Sequence, residues 1–119
     1  MTASTGNTTL IVLTNLPDAP TARALAERLI ATRLAACVNL MAPCTSVYRW
    51  QGAIESTDEV PLLIKTTAER YAALQAAILD AHPYELPEIV AVPVQQGFAP
   101  YLQWVADETR PTNDAPSVP

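Results

Sequence analysis

Hydrophobic and polar positions follow two different periods along this chain. Thr8 to Thr14 is a short, β-branched apolar run and predicts a first strand. Asn15-Leu16-Pro17-Asp18 supplies a turn, with Asp18 placed to cap a helix and Pro20 suited to its first turn. Ala22, Leu25, Ala26, Leu29 and Ile30 then recur at helical spacing, while Arg23, Glu27, Arg28 and Arg33 fall mainly elsewhere. That pattern predicts an amphipathic helix of about four turns, ending near Leu34.

The period changes at Ala35. Ala35 to Tyr48 lacks glycine and reads as a long second strand, with an irregularity at Pro43. Arg49-Trp50-Gln51-Gly52 carries turn chemistry, and Ala53 to Thr66 reads as a third strand. In it, Ile54, Val60, Leu62 and Ile64 share one parity. Glu55, Thr57, Glu59 and Lys65 share the other, with Leu63 as an apolar exception. Pro61 lacks the donor that a central strand needs, so it predicts a bulge or an edge. Thr66-Thr67-Ala68-Glu69 resembles a capping box. Tyr71, Leu74 and Ile78 predict a second helix that Pro83 stops near Ala81 or His82. Ile89 to Val94 reads as a fourth strand, Gly97 breaks it, and Phe98 to Asp107 reads as a short last helix.

Strand, helix, strand, strand, helix, strand is the split βαβ order of a ferredoxin-like sandwich. The expected fold class is therefore α+β: a βαββαβ sandwich with a long hairpin between its second and third strands and a short C-terminal helix. Residues 8–107 form the expected single domain. Residues 1–7 and 108–119 are polar and read as disordered tails. Both helices take one face of the sheet. In so apolar a chain the other face is expected to meet a second subunit, and the long hairpin suits an arm that pairs edge to edge.

Composition narrows the function. With 119 residues, half of them hydrophobic, the chain can bury a real core. Seven basic residues against twelve acidic ones leave a net charge of −5, which speaks against nucleic acid or an anionic membrane as partner. Met1 to Thr9 lacks a basic leader region and Leu10 to Leu13 is too short for a membrane span, so a cytoplasmic location is expected. Cys37 and Cys44 are expected as free thiols there. Three isolated glycines cannot build a phosphate cradle, and one histidine with two cysteines lacks the paired spacing of structural zinc sites.

The densest chemistry lies in His82-Pro83-Tyr84-Glu85-Leu86-Pro87-Glu88-Ile89. Its two prolines fix φ and push their predecessors to extended backbone, so His82, Tyr84, Glu85 and Glu88 are presented in set directions. His82 suits either a helix end or a metal ligand. A Cys37–His82 nucleophilic pair is conceivable, but Cys37 in Leu-Ala-Ala-Cys-Val-Asn reads as buried, so no catalytic residue is expected. Lys65, the sole lysine, suits an outward end-of-strand charge or a partner for Glu59. Tyr48, Trp50, Tyr84, Tyr101 and Trp104 suit core or interface packing, or the walls of a cleft.

Five segments, in order, carry a resemblance. They are Arg33 to Asn39, Ser46 to Gly52, Leu62 to Thr67, His82 to Ile89 and Tyr101 to Trp104. Together they resemble the CutA divalent-cation tolerance family. The resemblance implies a ferredoxin-like fold, a tight homotrimer whose long strands pair between subunits, and a role in tolerance of divalent metals, copper above all, without catalysis. It also implies a likeness in architecture to the PII signalling proteins, with ligand or metal sites in the inter-subunit clefts. On this basis a metal is expected near His82, with Glu88 or Cys37 as helpers from the same or a neighbouring subunit. The alternative is a PII-like sensor or scaffold, whose cleft, built from Tyr48, Arg49, Trp50, Glu59, Lys65 and Tyr84, takes a small anion against Lys65 and Arg49. Thr14 stands where some members carry a cysteine, and Ala81 where some carry a second histidine.

Overall fold

The computed structural model describes residues 7–111. In chain order these form β1 (Thr9–Leu16), α1 (Ala19–Ala31), β2 (Cys37–Leu40), β3 (Cys44–Trp50), β4 (Ala53–Thr67), a 3₁₀ turn (Ala68–Arg70) leading into α2 (Tyr71–Ala81), β5 (Val90–Pro93) and α3 (Ala99–Glu108). The antiparallel sheet has the order β2-β4-β1-β5, and β3 pairs with the N-terminal half of β4.

Alternation along the strands decides which face is buried. Val12, Thr14 and Leu16 of β1 lie beside Ile64, Leu62 and Val60 of β4, so these six residues share one face. All six are buried. Against them pack Ala22, Leu25 and Leu29 from α1 and Leu74 and Ile78 from α2. Leu29 is fully buried, and its truncation to Ala is expected to cost about 2–5 kcal/mol.

Helix α1 begins as the sequence predicts. The Asp18 side chain accepts a hydrogen bond from the Thr21 N–H at 2.8 Å, which holds its carboxyl below the ordinary aspartate range. The helix stops at Ala31, three residues short of the expected Leu34. Arg33 adopts φ 61°, a left-handed conformation that turns the chain back so that Leu34 and Ala35 enter the core. The expected capping box is absent. Thr67 makes no side-chain cap, and Thr66 instead donates its hydroxyl to the Leu34 carbonyl at 2.7 Å.

The predicted long second strand is two strands. Leu40 faces Leu62 while Cys44 faces Glu59, so four steps on one strand match three on the other. One extra residue is therefore taken up across Met41-Ala42-Pro43, which is a β-bulge. Pro61 sets its place. The Met41 N–H donates to the Pro61 carbonyl at 2.9 Å, and Pro61 has no N–H to return the bond. Pro61 thus marks a bulge in the neighbouring strand. It does not mark an edge, because β4 lies between β1 and β2.

The hairpin turn is tight. Gln51 and Gly52 have φ of 50° and 84°, the two positive values of a type I′ turn, and Trp50 pairs with Ala53 across it. The radius of gyration is 15.7 Å, against about 13 Å for a compact chain of this length. The β3–β4 arm accounts for that excess, since β3 has only β4 beside it in the sheet.

Helix α3 crosses the sheet face opposite α1 and α2, where Tyr101 lies against Cys37. It runs to Glu108, and Thr109 is buried, so ordered chain continues past the tail boundary expected at 108. The rest of the two expected tails, 1–6 and 112–119, lies outside the described residues. Among the described residues, no helix is long and apolar enough to cross a membrane.

Candidate functional site

The proline link between α2 and β5 starts at His82, the C-cap of α2, held in extended backbone by Pro83. Its ring is buried and both nitrogens are engaged. Nε2 lies 2.7 Å from the Asn15 carbonyl oxygen, and the Tyr84 N–H donates to Nδ1 at 3.2 Å. A carbonyl only accepts, and Nδ1 here accepts as well. The arrangement therefore requires the neutral Nε2–H tautomer. The Tyr84 ring packs on the imidazole with centroids 4.7 Å apart.

Asn15 is the hub of the site. Its side-chain amide donates to Glu59 Oε1 at 3.3 Å and to Glu88 Oε1 at 3.1 Å. Glu59 is only 8% exposed. Burial, reinforced by the Glu59 carboxylate beside it, pushes the Tyr84 phenol up to about 12.

Above Asn15 opens a cleft of about 740 Å³ between the proline link and the hairpin arm. Glu55, Glu59, Glu85 and Glu88 line it, with Arg49 as the one basic side chain, and Tyr48, Trp50 and Tyr84 supply aromatic walls. Five of the six residues expected in a cleft are therefore together. Lys65 is not among them. It sits six residues further along β4, about 20 Å at the usual strand rise, and donates to Asn39 Oδ1 at 2.6 Å. Asn15 is the functional residue that sequence reasoning missed, because it reads there as part of a turn. Its one signal was its place as the polar last-but-one residue of an apolar strand.

The three expected metal ligands are not brought together within one chain. His82 and Glu88 both meet Asn15. Cys37 pairs with Lys65 at the far end of β2, beside Tyr101. Both cysteines are free thiols. Among the described residues, no group of three or more His, Cys, Asp or Glu side chains is placed to hold a metal ion. Copper favours imidazole and thiolate donors. With both ring nitrogens of His82 committed and Cys37 elsewhere, the residues of a single chain do not fit a copper site. The same separation leaves Cys37 without His82 as a base.

A four-layered chain order on an antiparallel sheet, with two helices on one face and a projecting hairpin, defines the class as ferredoxin-like α+β. Residues 10–108 match the family described as CutA1 divalent ion tolerance protein, and the chain belongs to that family. It is 42% identical over 99 residues to the divalent-cation tolerance protein CutA of Thermus thermophilus, covering 83% of this chain and 96% of that protein. The crystal-form relative from the same organism superposes with a TM-score of 0.84 at 41% identity, over 86% of this chain and 99% of that one. Human protein CutA is 43% identical over 102 residues, 86% of this chain but 57% of the human protein. The structure described as the periplasmic divalent cation tolerance protein CutA of Archaeoglobus fulgidus gives a TM-score of 0.83 at 30% identity, over 86% of this chain and 99% of that one.

Proposed function

We propose that this chain is a homotrimeric, non-catalytic divalent-cation tolerance protein of the cytoplasm, where Cys37 and Cys44 stay reduced. The observation that carries the assembly is the hairpin arm. Its β3 strand has a free edge, and Val47 and Ile54 on it are 69% and 73% exposed. Val90 and Val92 on the outer strand β5 are half exposed as well. Free strand edges beside exposed apolar side chains are the surfaces that other copies cover.

Copper, in this reading, takes donors from more than one subunit, because one chain keeps its imidazole and its thiols apart. The acidic cleft draws cations toward the surface where such donors meet. Calorimetric titration of the assembled protein with Cu²⁺, beside His82→Ala and Glu88→Gln variants, tests this. Submicromolar binding weakened in Glu88→Gln supports it. Undetectable binding by the assembled wild-type protein contradicts it. The reading with an anionic ligand is not favoured, since the cleft is acidic and Lys65 lies outside it.

A further inference from the structure

We propose that the cleft above Asn15 takes an organic polycation, a linear amine with two or more protonated nitrogens, with Glu59 as its buried anchor. This goes beyond the tolerance function and does not depend on it.

Glu59 lines the cleft, is more than nine-tenths buried, and has no Lys, Arg or His in ion-pair distance among the described residues. Its hydrogen bond comes from the neutral Asn15 amide, at a long 3.3 Å. A carboxylate taken out of water is ordinarily matched by a cation, and here the chain brings none. The open side of the carboxylate faces the cleft.

The surroundings say which cation fits. A volume of about 740 Å³ is far larger than a metal ion needs and lies within the usual range for organic ligands. A bare divalent ion needs several oxygens converging on one point, and among the described residues no such group exists. Tyr48, Trp50 and Tyr84 instead offer ring faces, which attract ammonium groups and cover methylene stems. Glu88, at the exposed end of the same Asn15 amide, provides a second anionic point for a second nitrogen.

The test is isothermal titration of the full chain, in its native oligomeric state, with the linear triamine spermidine, with n-butylamine and with Mg²⁺ at matched ionic strength. We expect saturable spermidine binding, at least tenfold tighter than either of the others. Glu59→Gln and Trp50→Leu are each expected to weaken it at least tenfold. Glu88→Gln, altered at an exposed site, serves if Glu59→Gln does not fold, and a loss there supports the proposal equally. Spermidine binding no tighter than Mg²⁺ overturns it, because the cleft is then only an acidic surface. Affinity unchanged by the variants also overturns it. Light scattering on the same samples reads the assembly separately, so a failed trimer and a failed amine site give different results.

Discussion

The imidazole Nε2 of His82 lies 2.7 Å from the carbonyl oxygen of Asn15, joining the end of α2 to the end of β1 across 67 positions of sequence. The same asparagine reaches Glu59 on β4 and Glu88 on the proline link through its side chain. One histidine thus fastens the segment that forms a wall of the cleft.

Removing that ring strands two polar groups, the Asn15 carbonyl and the Tyr84 N–H. His82→Ala is expected to lower the stability of the fold by about 1–3 kcal/mol, read from urea denaturation at fixed protein concentration. A denaturation midpoint equal to that of the wild type would show that the bond contributes nothing.

The Tyr84 phenol, raised from 10.0 to about 12 by burial and then by Glu59, predicts alkaline behaviour. Between those values the unfolded chain loses the proton while the folded chain keeps it. Stability from this group is therefore complete below pH 10 and falls as pH rises toward 12. Difference spectra between the wild type and Tyr84→Phe should show one tyrosinate forming late. Glu59→Gln should bring that titration down part of the way, since burial remains. A Tyr84 titration that coincides with free tyrosine contradicts the placement of the phenol beside Glu59.

Arg33 latches the last helix. Its guanidinium donates to the carbonyls of Asp107 at 2.7 Å and Arg110 at 2.9 Å, capping the C-terminal end of α3. Arg33→Ala and Arg33→Gly both lose these bonds, but glycine relieves the left-handed backbone at φ 61°. The glycine variant is therefore expected to be the more stable of the two by about 1 kcal/mol. In both, loosening of α3 should uncover Cys37, which Tyr101 now covers, and speed its reaction with a thiol reagent. Identical rates in all three proteins would show that the latch does not hold the helix.

The sequence made the sheet order and both long helices legible because their periods are set by local burial. Val60, Leu62 and Ile64 alternate strictly, and Asp18 and Pro20 mark a helix start by their own chemistry. What escaped was set by partners distant in sequence. The β2–β3 break depends on the missing N–H of Pro61, a residue on the neighbouring strand. The turn after α1 is held by a left-handed arginine where glycine or asparagine would have signalled it. In the site, the aromatic and acidic residues of the arm and the link were legible as cleft-formers. Asn15 was not, because its role comes only from the register that sets it beside Pro61 and beneath the link. Lys65 was misplaced for the same reason: its parity matches Glu59, but its distance along β4 does not.

Assembly is the claim on which the account most depends, and the exposed arm carries it. Replacing Ile54, near the tip of β4, with glutamate should leave the helical content intact and weaken association at least tenfold, measured by analytical ultracentrifugation. An unaltered association constant would remove the arm from the interface.

The most direct measurement is the solution mass of the purified protein by light scattering coupled to size exclusion. Three times the chain mass of 12.8 kDa is the predicted result, stable on dilution through the micromolar range. A particle of 12.8 kDa, folded and monomeric under the same conditions, would contradict it.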